Sequence, residues 1–95
     1  MTPREVELRV PLRSYRSPPD VATGVSVSLS RGVHALRVIS ARFTESAPRE
    51  EWRTHVSIPL GDYEAEVTVE MGARVVRAVS PVHVVPGELL RLRAP

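Results

Sequence analysis

The side chains of this 95-residue chain with the means to do chemistry are three histidines, nine serines, eleven acids and thirteen arginines. A three-imidazole metal site would have to come from His34, His55 and His83. Their spacing offers no HxH or HxxxH arrangement that would aim two rings at one ion. His55 falls on a polar parity beside Arg53, and His83 is out of phase with Val82 and Val84, so all three are expected to be solvent-facing strand histidines. Serine chemistry needs a base and an orienting acid held at the nucleophile, and the chain has neither a G-x-S-x-G elbow nor a glycine-rich phosphate cradle. Cysteine is absent, which excludes thiol chemistry, disulfides and Cys-based zinc sites. A non-enzymatic chain is therefore expected, with no catalytic, metal or cofactor residues assigned.

Two charge patterns remain. Glu64, Glu66 and Glu70 recur on one strand parity and offer oxygen ligands to a hard cation, but an exposed strand needs the same stripe for solubility, and the solvated face is the expectation. Arg4, Arg9, Arg13 and Arg16, with Tyr15 as a stacking partner, form a candidate polyanion contact, because a guanidinium fork matches phosphate geometry. Glu5 and Glu7 are interleaved with them. The formal net charge is only +2, and the pI near 9.9 reflects bases that are all arginine. Residues 1–47 carry seven Arg against four acids and residues 48–95 six against seven, a shallower asymmetry than nucleic-acid binders usually show.

The elements that must position these groups read as strands. Val occurs sixteen times and Ile and Thr add seven β-branched positions, while nine Pro and five Gly cut the chain into short pieces. Tyr63, Ala65, Val67, Val69 and Met71 alternate with Glu64, Glu66, Thr68 and Glu70, a half-buried strand with an acidic outer face. Before it, Trp52 to Leu60 alternates up to Pro59, a residue suited to a strand end, and Gly61-Asp62 is predicted to turn the chain. Trp52 and Tyr63 are expected at the ends of neighbouring strands. A tight turn at Gly72-Ala73 would set Val69 opposite Val76, Val67 opposite Ala78 and Thr68 opposite Arg77. Pro81 is predicted to interrupt that next strand as a bulge or a crossing between sheets.

Upstream, Glu5 to Leu12 and Gly24 to Ser30 alternate, and 13–23 and 44–51 read as loops. Arg31-Gly32 reads as a hairpin turn into His34 to Thr44, where a parity change predicts either a bulge near Val38–Ile39 or a strand covered on both faces. After a Pro86-Gly87 turn, Glu88 to Arg93 closes the chain with Leu90 and Leu92 inward. Together these make one domain over 1–95, an all-β sandwich or barrel, with a seven-stranded antiparallel β-sandwich as the expected form. No apolar run is long enough for a transmembrane helix.

From Ile58 the order Ile58-Pro59-Leu60-Gly61-Asp62-Tyr63, the alternating Glu64–Glu70, Gly72, Val76–Val85, Pro86-Gly87-Glu88 and Leu89–Leu92 resembles the ending of carboxypeptidase-regulatory-like and PEGA-type domains. The resemblance spans about residues 58–92 and implies a small transthyretin-like or immunoglobulin-like sandwich used as an accessory module, with no catalytic residues to transfer. The family's usual N-terminal half, and the aromatic after its mid-hairpin glycine, have no counterpart here.

The expected function is a binding or assembly module that meets a protein partner, or itself, through a sheet edge or a charged sheet face. The terminal strands Glu5–Leu12 and Glu88–Arg93 are the edge candidates. Nucleic-acid or anionic-polymer binding through the N-terminal arginines, and carbohydrate binding by an accessory domain, are the alternatives. The opening residues MTPREVELRV lack the apolar core of a signal peptide, so the cytoplasm is expected; an excised domain with an added Met would read identically. The lack of Lys, Asn and Gln fits either a high-GC coding bias or a heat-stable protein.

Overall fold

The computed structural model describes residues 4–13, 21–43, 50–85, 87 and 89–93, with backbone alone at Arg4, Ala35 and Leu36. Among them seven strands form: β1 (Arg4–Pro11), β2 (Gly24–Arg31), β3 (His34–Arg42), β4 (Glu51–Ile58), β5 (Gly61–Met71), β6 (Arg74–Val84) and β7 (Leu90–Arg91). They build a three-stranded sheet in the order β4-β1-β7 and a four-stranded sheet in the order β3-β2-β5-β6. The molecule is all-β, two sheets packed as a sandwich.

Alternation decides which face is buried. Val6, Leu8 and Val10 on β1, with Val56 and Ile58 on β4, meet Val25, Val27 and Leu29 on β2 and Tyr63, Ala65, Val67, Val69 and Met71 on β5 in one apolar cluster. No polar or charged residue is buried among the described residues. Because side-chain direction repeats every two residues, a one-residue slip of any strand would move its whole apolar set into water, and the register is held accordingly.

Both hairpins use two-residue loops. Arg31 pairs with His34 around Gly32-Val33, and Met71 with Arg74 around Gly72-Ala73. Each loop opens on a glycine of positive φ, 62° at Gly32 and 65° at Gly72. This is the signature of a type II′ turn, whose twist suits two antiparallel strands. The register read from the alternation of β5 and β6 is the one found: Val69 faces Val76, Val67 faces Ala78 and Thr68 faces Arg77. The final segment also packs as anticipated, with Leu90 and Leu92 buried.

Five expectations are corrected. First, the sandwich is not wholly antiparallel: β1 and β7 run parallel, with Leu8 beside Leu90 and Arg9 beside Arg91, and the Leu92 N–H donates to the Arg9 carbonyl at 2.9 Å. β6 and β7 lie in different sheets and are not paired as a hairpin, so nothing forces β7 to run antiparallel. Second, β1 is the middle strand of its sheet, which removes Glu5–Leu12 as an outer edge. Third, Gly61 and Asp62 belong to β5, paired with Val84 and His83; the turn falls at Pro59-Leu60, and the chain changes sheet there. Trp52 and Tyr63 consequently lie in different sheets.

Fourth, β6 passes Pro81 without a bulge or crossing, Pro81 facing Glu64. In a two-residue hairpin the residues flanking the loop exchange both backbone bonds, and bonded pairs alternate from there. Counting from Met71–Arg74 puts Glu64–Pro81 on a non-bonded pair. The nitrogen of Pro81 therefore points away from β5, and its missing N–H costs the ladder nothing. Fifth, the bulge in β3 lies earlier than Val38–Ile39: Leu29 pairs with Arg37 and Ser30 with Ala35, leaving Leu36 as the extra residue. That shift turns Val38 outward, 67% exposed, and lets Ile39 and Ala41 pack on the core.

Candidate functional site

The outer face of the three-stranded sheet carries a row of like charges. On β1 the outward residues are Glu5, Glu7 and Arg9; across the ladder from Arg9 stands Arg53 on one side and Arg91 on the other. The backbones of three arginines thus lie side by side on three neighbouring strands, about 4.8 Å apart by strand spacing, while the Arg9 side chain reaches along the ladder toward Glu7 and that of Arg53 the other way toward Glu51. Like charges directly opposite one another oppose sheet formation. Carboxylates on the same face relieve part of that repulsion. Glu7 accepts from Arg9 Nε at 3.2 Å and Glu51 from Arg53 Nε at 2.5 Å, while Arg13 Nε donates to Glu50 at 3.1 Å just beyond the end of β1. Arg91 forms no ion pair among the described residues.

Glu51 is where this field converges. The hydrogen bond from Arg53 holds its carboxyl below the usual carboxylate range, and the nearby charges of Arg53, Arg9 and Arg91 act in the same direction. A cleft of about 110 Å³ opens between Arg9, Pro11, Glu51, Arg91 and Leu92, and a wider, shallower depression continues from it past Arg13 and Glu50.

A second feature lies on the larger sheet. Among the described residues β6 is an outermost strand, paired only with β5. By the hairpin count above, the N–H and C=O groups of Val75, Arg77 and Val79 point away from β5, toward open solvent. The side chains of Val75 and Val79 are 51% and 55% exposed, flanking Arg77 on the outer face. Arg77 lies diagonal to Glu66 and Glu70 but forms no ion pair among the described residues. Beside this edge an open depression is lined by Ser30, Asp62, Glu64, Val79 and Pro81.

Of the arginines singled out from the sequence, Arg9 and Arg13 lie near the β7 end of β1. Arg4 begins the same strand, five residues or roughly 17 Å before Arg9. Tyr15 and Arg16 lie outside the described residues. Arg53 and Arg91 were missed, since neither is near Arg9 in sequence and only the pairing of β1 with β4 and β7 aligns them. His34, His55 and His83 are exposed on three different strands, and His83 Nδ1 contacts the Asp62 carboxylate across the β5–β6 pair. No group of three His, Asp or Glu side chains among the described residues is placed to hold a metal ion. Trp52 is half-buried against the core. Among the described residues no helix is long and apolar enough to cross a membrane.

The class defined by these observations is an all-β sandwich with a charged sheet face and an open strand edge. Comparisons with protein-family models, curated proteins and solved structures gave no match to the chain.

Proposed function

We propose that the chain is a transthyretin-like sandwich, akin to carboxypeptidase-regulatory-like and PEGA-type domains, that acts as a non-enzymatic module binding a protein partner by strand addition at β6. The strand order favours the transthyretin-like over the immunoglobulin-like form. An immunoglobulin constant-type order groups the first, second, fifth and fourth strands in one sheet, whereas here β1 lies with β4 and β7, and β2 with β3 and β5.

The single observation that carries the binding reading is the β6 edge. Its outward backbone groups at Val75, Arg77 and Val79 supply the hydrogen bonds of β-augmentation, and alternate side chains supply specificity. An added strand placing an acid opposite Arg77, with apolar residues two positions away on each side opposite Val75 and Val79, would pair a charge and cover the exposed valines. Pro81 limits the edge, since it offers no outward N–H beyond Val79. Support for a non-catalytic role comes from the ionisable groups: apart from Tyr63, none of the described ones is buried, so the burial that tunes catalytic acids and bases is missing.

The test is a selection of displayed extended peptides on the immobilised protein. Segments of the form apolar–x–acid–x–apolar should be enriched, and Arg77→Pro should abolish their binding while leaving the far-UV circular dichroism and melting temperature close to wild type. No enrichment, or equal binding to Arg77→Pro, overturns the proposal.

A further inference from the structure

The Arg9–Arg53–Arg91 row lies on the other sheet from β6 and has its own chemistry. We infer that this row, with the cleft at Pro11 and Leu92, is a binding site for a compact multivalent oxyanion of the oligophosphate class, and that Glu51 is its resident competitor.

Placing three arginines in register across one sheet face is unfavourable unless anions lie among them. The chain supplies some of those anions. Glu7 and Glu51 each engage one of the five N–H donors of their arginine, which leaves most of the donor capacity of the row uncommitted. Arg91, exposed on β7, has no ion pair among the described residues, and it walls the cleft opposite Glu51.

Glu51 already occupies the position that an external oxyanion would take. It is ionised, bonded to Arg53 and within the field of Arg9 and Arg91. Because it is tethered, it competes at a high effective concentration against any free monoanion. Only a ligand that brings several negative charges at once gains enough from the three arginines whose charges reach Glu51 to displace it. Phosphate oxygens accept the two parallel N–H bonds of an arginine fork, which makes linked phosphates the matching chemistry. A free polyphosphate and the phosphate tail of a nucleotide both carry this group.

Calorimetric titration at low salt tests the site with inorganic tripolyphosphate, a nucleoside triphosphate and inorganic monophosphate. Tripolyphosphate should bind, and monophosphate should bind at least ten-fold more weakly. Arg91→Ala should weaken tripolyphosphate binding by ten-fold or more, Glu51→Gln should strengthen it several-fold, and Arg42→Ala, a control on the larger sheet, should leave it unchanged. Binding of the nucleoside triphosphate alongside tripolyphosphate places recognition on the phosphates from either source, and its failure to bind narrows the source to the free chain. The inference is overturned if tripolyphosphate does not bind, if only the nucleoside triphosphate binds, if Arg42→Ala weakens binding as much as Arg91→Ala, or if Glu51→Gln leaves or lowers the affinity. Melting curves of each variant separate lost binding from lost fold. The β6 peptide selection is unaffected by any of these substitutions, so the two proposals fail independently.

Discussion

The Arg31 guanidinium lies over the ring of Tyr63, its Cζ 4.6 Å from the ring centroid. Arg31 Nη2 also donates to the Leu60 carbonyl at 3.4 Å, and the Tyr63 hydroxyl donates to the Pro59 carbonyl. From β3, Arg37 Nε donates to the Ser57 carbonyl at 3.1 Å. These contacts gather where the chain leaves β4 in one sheet and enters β5 in the other. Backbone carbonyls at such a crossing have no ladder partner, and arginine and tyrosine side chains supply the donors instead.

Removing the Tyr63 hydroxyl tests this corner. Tyr63→Phe keeps the buried ring and its stacking on Arg31 but leaves the Pro59 carbonyl without that donor. The expected loss is about 1–2 kcal/mol in urea unfolding at unchanged m-value. Unchanged stability would mean that water serves the carbonyl equally well.

Gly61 is required for two reasons at once: its φ is 138°, and a Cβ there would stand 2.6 Å from Arg31 Nη2. Gly61→Ala should therefore cost more than Gly72→Ala, where φ is 65° and nothing lies within 4 Å of the added methyl. Backbone strain alone is worth about 1–3 kcal/mol, and because φ differs between the two sites, the share due to the Arg31 contact is read from the double variant. Adding Arg31→Ala should recover part of it, a non-additivity read by comparing the melting temperatures of the single and double variants.

The hairpin phase of β6 makes neighbouring prolines unequal. Arg77→Pro removes an outward N–H and should be tolerated, as Pro81 is. Val76→Pro removes an N–H bonded to β5 and should destabilise by a lost bond plus an unpaired acceptor, about 2–4 kcal/mol in total. Equal effects in thermal unfolding would remove the distinction, and a larger loss for Arg77→Pro would show that the bonded and non-bonded pairs are reversed.

The parallel β1–β7 pair is short but seats two core leucines. Leu92, 3% exposed, should cost about 2–5 kcal/mol on substitution by Ala. Arg91→Ala, one residue earlier and outward, should change stability by less than about 0.5 kcal/mol. Chemical denaturation of the two variants distinguishes burial at β7 from its charge.

Glu51 gives the acid limb a sign. Its folded pKa is lowered from the model-compound value of 4.5, so its contribution is fully present above that pH and is lost as pH falls through the lower folded value. Glu51→Gln should therefore unfold less steeply with acidification below about pH 4.5, and the two proteins should converge at still lower pH. The group is exposed, so the difference is small and should shrink further in high salt. A steeper acid limb in the variant would reverse the assignment.

Much of the larger sheet was legible without a structure because its information is local. The nine residues Tyr63–Met71 alternate without a fault, and with Gly72-Ala73 as the loop only one register keeps Val67 and Val69 in the core and Arg77 out of it. Leu90 and Leu92 were readable as inward for the same reason. Where alternation failed, so did the reading: the parity change in β3 signalled a bulge, but its placement at Leu36 depended on the partner strand β2. Pro81 was misread because a proline in a strand has two meanings. Which way its nitrogen points is set by the hairpin phase, and among the described residues β6 has no neighbour on that side.

Residue pattern alone determined that this chain is cysteine-free, strand-rich and apolar on alternate positions, since side-chain direction follows the two-residue repeat of the backbone. Tertiary structure decided which strands are neighbours. That choice depends on how two twisted sheets cover one another's apolar faces, a property of the whole chain that no window of sequence contains. It made β1 central rather than an edge, ran β7 parallel to it, and aligned Arg9 with Arg53 and Arg91 from three distant parts of the sequence.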